Sequence, residues 1–209
     1  MKKNWKILLI TSIVILLPVF AGMILWNRLP ERLPTHWNAE GQIDGWSGKA
    51  FAVLGMPLIL LAVQWFAALV TLTDPKHRNH SRKILQLIFW IIPLLSIALG
   101  LVTYFAAFGK DLRVEALIPM LLGLVFVVIG NYMPKCRQNY TVGIKLPWTL
   151  NNEENWNRTH RVAGRVWVVG GVLIMPSGFI DLVWVTLAIA LLMVLIPTVY
   201  SYILHRKGI

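Results

Sequence analysis

Six apolar blocks punctuate the chain, and they decide what it can fold into. They cover about residues 5–26, 51–72, 84–108, 114–133, 162–180 and 182–204. Each is close to the roughly 20 residues that an α-helix needs to cross a hydrocarbon layer about 30 Å thick. A water-soluble core seldom uses runs of this length. Composition agrees: 57% of the residues are hydrophobic and 14% are charged, against roughly 45–50% and 25% in soluble domains. Inside hydrocarbon every backbone N–H and C=O must find a partner within the protein, which makes the blocks helices. The expected fold is all-α, a polytopic integral membrane protein with six transmembrane helices. Pro18 and Pro93 fall inside the first and third blocks, where membrane helices tolerate proline. The first block continues to Trp26, too long for the apolar core of a secretory signal, and no A-x-A-like cleavage site follows; it is read as a retained span.

Lysine and arginine sort the loops between the two sides. With the N-terminus in the cytoplasm, 15 of the 20 Lys and Arg fall in cytoplasmic segments and 5 fall outside: Arg28, Arg32, Lys49, Lys110 and Arg113. That asymmetry is the positive-inside pattern, and with six spans it leaves both termini cytoplasmic. The net charge of +11 is distributed between the apolar blocks. It therefore gives no reason to infer direct contact with nucleic acid. One cysteine, Cys136, excludes an internal disulfide. The fifth and sixth spans are joined by almost nothing, with Asp181 at the turn. The expected organisation is a two-span unit over 1–83, with an extracellular Pro/Trp-rich loop at 27–50, and a four-span unit over 84–209, with a cytoplasmic loop at 134–161.

The span interiors carry no Asp, Glu, Lys or His at mid-depth. Ionisable groups there mark proton and ion pathways, so their absence argues against a proton-coupled transporter and an intramembrane protease. Gln64, the strongly polar side chain near a span centre, is expected to make an interhelical hydrogen bond.

The outer loop contains LPTHWNAEGQIDGW at 33–46. Pro30 and Pro34 stiffen its entry. Asn38 to Gly41 reads as a turn, and Asp44-Gly45 is a turn dipeptide often found in hairpins. Two short extended pieces around a turn are expected, with Trp37 and Trp46 packed on each other or resting at the interface. Two readings stay open: a rigid cap at the bilayer surface, or a ligand-facing surface built from Pro34, His36, Trp37, Asn38, Gly41, Asp44, Gly45 and Trp46. His36, Glu40 and Asp44 match no metal-ligand spacing, so no metal is expected.

The inner loop holds a texture that lipid anchoring by Lys and Arg does not explain. Thr149 or Asn151 can cap a short helix over about 152–160, with Glu153 and Glu154 at its positive end. Glu153 with Asn157, and Trp156 with His160, are i, i+4 pairs. Trp148 and Trp156 are placed at the inner interface. Gly143 to Lys145 reads as an extended, turning stretch. Cys136 lies between Lys135 and Arg137, neighbours that lower a thiol pKa, and a juxtamembrane cysteine can be palmitoylated. His77 and His80 sit three apart in a short basic loop and are read as solvated or lipid-facing. The chain has no phosphate-binding, dinucleotide, zinc or nucleophile-elbow fingerprint. No cofactor and no catalytic residue is expected.

The stretch GIKLPWTLNNEENWNRTHRVAGRVW at 143–167 resembles the signature of the SdpI immunity-protein family. LPTHWNAEGQIDGWSGK at 33–49 resembles the companion domain of unknown function that precedes it in many members. The resemblance is carried at Asn139, Gly143, Ile144, Pro147, Trp148, Thr149, Leu150, Glu154, Trp156, Thr159, His160 and Gly164. It departs at Lys145-Leu146, where the family commonly shows Arg-Thr before Pro-Trp, and at Gln138, where Pro is frequent. Lys145 keeps the charge but lacks the bidentate fork.

The resemblance implies a bacterial plasma-membrane protein, not an enzyme. Such a protein gives resistance to a secreted, membrane-active peptide toxin of the sporulation-delaying type. It also implies a signalling loop, carrying Asn139, Gly143, Lys145, Pro147, Trp148, Thr149, Glu154, Trp156, Thr159 and His160, that can recruit a small cytoplasmic ArsR-like autorepressor to the membrane. A membrane enzyme or an exporter acting on a lipid or peptide is the alternative that the residues leave open.

Overall fold

The computed structural model describes residues 2–38, 40–76, 82–110, 112–180 and 183–209. Its elements are α1 (Lys2–Ile24), a β-hairpin of β1 (Arg32–Trp37) and β2 (Ile43–Gly48), a π-helical turn (Phe51–Gly55) running into α2 (Met56–Leu72), α3 (Arg82–Ala107) and α4 (Val114–Tyr132). A short 3₁₀ turn (Met133–Lys135) follows, then α5 (Pro147–Asn151), α6 (Glu153–Ile174), a second 3₁₀ turn (Ser177–Phe179) and α7 (Val183–Arg206). Among the described residues six helical segments are long and apolar enough to cross a membrane, as the sequence led us to expect. The hairpin is the departure from helix. Asp181, His77 and His80 lie outside the described residues.

The short polar helix expected to run into the fifth span does so, and the helix therefore begins well before the apolar block. It starts at Glu153 rather than near 162, because Asn152 caps it: the Asn152 side chain accepts the Asn155 N–H at 3.0 Å. The short polar helix anticipated over 152–160 and the fifth span are one continuous element.

The chain divides into two compact units. One comprises residues 1–69 and 86–114, which hold α1, the hairpin, most of α2 and most of α3. In it, polar side chains join the helices where hydrocarbon offers no alternative partner. Gln64 donates to Thr11 Oγ1 at 3.2 Å and to the Phe89 carbonyl at 2.9 Å, the interhelical role expected of it. Ser96 donates to the Ile15 carbonyl at 2.8 Å, and Tyr104 to the Pro18 carbonyl at 2.7 Å. Leu29, Leu33, Ala52, Val53 and Tyr104 form a buried cluster under the base of the hairpin.

The other unit comprises residues 70–85 and 115–209. Here α4 and α6 approach backbone to backbone. A Cβ on Gly164 would come within 2.7 Å of the Gly130 carbonyl oxygen, and one on Gly171 within 2.6 Å of the Gly123 carbonyl oxygen. Small residues that let helix backbones close in are the usual means of packing where helices gain nothing by hiding from lipid. Gly164→Leu is therefore expected to wedge α4 from α6 and to lower stability by about 2 kcal/mol or more. Thermal unfolding in detergent, with Gly48→Ala as a control where an added Cβ meets nothing within 4 Å, measures this.

Candidate functional site

Two loops carry the residues singled out from the sequence. In the first, β1 and β2 pair antiparallel, with Arg32 opposite Gly48, Leu33 opposite Ser47, Pro34 opposite Trp46, His36 opposite Gly45 and Trp37 opposite Ile43. The two extended pieces are as expected, and so is the turn at Asn38. The Asn38 side chain accepts the Gln42 N–H at 2.8 Å, and Gly41 takes a positive φ of 77°, which glycine adopts without a Cβ penalty.

Asp44-Gly45 corrects an expectation: the pair lies within β2 at a register irregularity and is not the turn. The slip leaves Asp44 without a cross-strand partner and brings its carboxylate to His36 Nδ1 at 2.5 Å. Trp37 and Trp46 pair with Ile43 and Pro34, so neither is the other's cross-strand partner. Trp46, His36 and Asp44 are exposed, Trp37 is half-buried, and Pro34 is buried.

Lys49 closes the base of this loop, and sequence reasoning passed over it. Its ammonium reaches the carbonyls of Trp26 (3.3 Å) and Leu29 (3.2 Å), the Glu31 carboxylate (2.9 Å) and the face of Trp26. The Lys49 side chain is only 10% exposed, so it stabilises the orphan carbonyls past the end of α1 as a covered cation. The available signal was a lysine set directly at the head of an apolar block.

The second loop, 134–161, is bonded mostly to itself. Asn139 is fully buried. Its Oδ1 accepts the N–H groups of Thr141 (2.9 Å) and Val142 (2.7 Å), and its Nδ2 donates to the carbonyls of Arg137 (2.8 Å) and Val142 (3.0 Å). Thr149 accepts the Leu146 N–H at 2.9 Å and donates to the Ile144 carbonyl at 2.7 Å, which turns the chain into α5 behind Pro147. Thr149 thus serves the start of α5, and Asn152 rather than Thr149 or Asn151 caps the long helix.

Trp156 is not at an interface, as anticipated, but fully buried. Its indole N–H donates to the Cys136 carbonyl at 2.7 Å, and its ring stacks on His160 with centroids 4.0 Å apart. His160 uses both ring nitrogens on main chain: Nδ1–H donates to the Trp156 carbonyl at 2.8 Å, and Nε2 accepts the Ile144 N–H at 3.0 Å. Gly143 sits at φ 120° over these two rings, and a Cβ there would run into His160 Nε2. Thr159 donates to Asn155 Oδ1 at 3.0 Å. Trp148 is half-buried, donates to Ser201 Oγ at 3.0 Å and stacks on His205. Lys145, Pro147 and Glu154 face outward, with Glu154 paired to Arg158.

Sequence reasoning also missed Asp74, which lies two residues past α2 and is 3% exposed. One carboxylate oxygen accepts the Lys76 N–H at 2.7 Å; the other accepts the Tyr140 N–H at 3.0 Å and the Thr141 hydroxyl at 2.9 Å. Lys76 Nζ donates to Gln138 Oε1 at 2.6 Å. Cys136 reverses its expectation. Burial pushes the thiol up to about 11, against a smaller lowering by the hydrogen bond from Asn139. Among the described residues no three His, Cys, Asp or Glu gather as metal ligands.

Fold and site together define a six-span helical membrane protein with a paired-strand loop and a self-bonded signature loop. Residues 135–201 match the SdpI/YfhL protein family, and residues 13–61 match a domain of unknown function, DUF1648. The chain is also similar to the immunity protein SdpI of Bacillus subtilis (strain 168), with 27% identity over 214 residues that cover 99% of this chain and 98% of that protein. The chain thus carries an SdpI/YfhL match over its last third and a DUF1648 match near its N-terminus, and it is a multi-pass protein of the plasma membrane. No solved structure matches it.

Two outcomes follow from this geometry. Gly143→Ala is expected to cost about 1–3 kcal/mol through its backbone strain, read as a lower unfolding midpoint. The thiol gives a pH window. The unfolded chain releases the Cys136 proton near 9.0 and the folded protein near 11. Over that interval the unfolded state binds fewer protons, so stability falls as pH rises. Cys136→Ala is expected to flatten that decline in alkaline unfolding curves.

Proposed function

We propose that this protein is a non-enzymatic immunity protein and receptor that protects its cell against a membrane-active peptide toxin of the sporulation-delaying type. The similarity to the Bacillus subtilis immunity protein along essentially the whole chain carries the reading. Both termini are cytoplasmic on the distribution of Lys and Arg, which puts the hairpin outside and the 134–161 loop inside. The hairpin then offers the toxin an exposed Trp46, His36 and Asp44 on a rigid base, the aromatic-and-polar composition that recognition surfaces favour. The inner loop presents Lys145, Pro147 and Glu154 to the cytosol for recruitment of a small ArsR-like autorepressor. A non-enzymatic role is supported by His160, whose two ring nitrogens are both engaged by main chain and so are not placed for proton transfer.

A toxin-sensitive strain lacking immunity tests this. The wild-type protein is expected to restore growth in the presence of the peptide. Trp46→Ala is expected to lower the tolerated peptide concentration by about tenfold, the effect of truncating one anchoring aromatic. Killing that is unchanged when the wild-type protein is restored contradicts the proposal.

A further inference from the structure

Span two has no slack at either end. On one side β2 ends at Gly48, and only Lys49 and Ala50 precede the π-helical turn that runs into α2. Lys49 is itself pinned to the carbonyls of Trp26 and Leu29. On the other side α2 ends at Leu72, and Asp74 follows two residues later. Asp74 is the carboxylate that receives Tyr140 N–H and the Thr141 hydroxyl from the central loop. Its second oxygen takes the Lys76 N–H, which fixes the carboxylate against its own segment. A helix transmits displacement along its axis because its turns are hydrogen-bonded throughout. The π turn at its head is wider than an α turn, and such turns recur at functional sites.

What Asp74 holds is the segment that organises the signature loop. Thr141 and Tyr140 adjoin Asn139, whose side chain closes the 137–142 turn. That turn covers Cys136, which is 5% exposed and whose carbonyl receives the Trp156 indole. Lys76 reinforces the same point: its ammonium donates to Gln138 and lies 5.0 Å from the centre of the Tyr140 ring.

We propose that Asp74 is a latch by which span two holds the signature loop shut, so that displacement of the hairpin at the head of that span releases the loop. The link is the covalent continuity of hairpin, π turn, α2 and Asp74. The inference deepens the receptor reading and rests on it for its biological sense, but its test uses no toxin, so the two fail separately.

Cys136 is the one cysteine in the chain and is covered by the latched turn. Its alkylation by a membrane-permeant maleimide, in membranes holding the full-length protein, reads the open population. Asp74→Asn keeps the shape but loses one carboxylate oxygen as acceptor. It is expected to raise the labelling rate about tenfold, as loss of a charge-assisted hydrogen bond raises a local opening. Thr141→Val, which leaves Asp74 in place and removes the hydroxyl that bonds its carboxylate, is expected to give a smaller rise. It also answers the case in which Asp74→Asn fails to fold. Lys49→Met, which loosens the hairpin base, is expected to raise labelling in the wild-type background and to add nothing in the Asp74→Asn background. The proposal is overturned if Asp74→Asn and Thr141→Val label like wild type, if Lys49→Met leaves labelling unchanged, or if its effect adds in full to that of Asp74→Asn.

Discussion

Hydrocarbon offers a peptide group no hydrogen bond, and most features of this protein follow from that. The six blocks become helices because a helix satisfies its own N–H and C=O groups. Where the chain leaves helix, the same accounting continues by other means. The first loop pairs its strands with each other, and Lys49 covers the carbonyls left at the end of α1. The second loop uses side chains: Asn139, Thr149, His160 and Asp74 between them engage main-chain groups at Val142, Leu146, Ile144 and Tyr140. A signature that reads as a string of polar and aromatic residues is, physically, a set of partners for a short irregular backbone.

That view separates the loop residues by task. Asn139, Thr149, Trp156, Thr159 and His160 are buried and spend their polar atoms inside the protein. Lys145, Pro147 and Glu154 are outward-facing. The first group fixes the shape, and the second stands on the surface. In the hairpin the division is similar. Leu33 and Pro34 anchor the strand, while His36, Asp44 and Trp46 stand clear of it.

The spans and the extended pieces of the hairpin were legible in the sequence because each rests on local pattern: block length for one, proline and turn residues for the other. What escaped depends on contacts far along the chain. Asp44-Gly45 has the chemistry of a turn, yet register irregularities within the hairpin place it inside β2. Trp156 has the interfacial habit of tryptophan, yet the 136–144 segment folds over it. Cys136 has basic neighbours in sequence, but burial governs its thiol. Asp74 lies 66 residues before the Tyr140 amide it receives, and no local pattern announces that pairing.

The account rests on the two loops facing opposite sides of one membrane. Single cysteines placed at His36 and at Lys145 in a Cys136→Ala background, labelled with a membrane-impermeant maleimide in intact cells, test this directly. Position 36 is expected to react before the cells are permeabilised and position 145 only afterwards. Reaction of both positions from the same side would contradict the account.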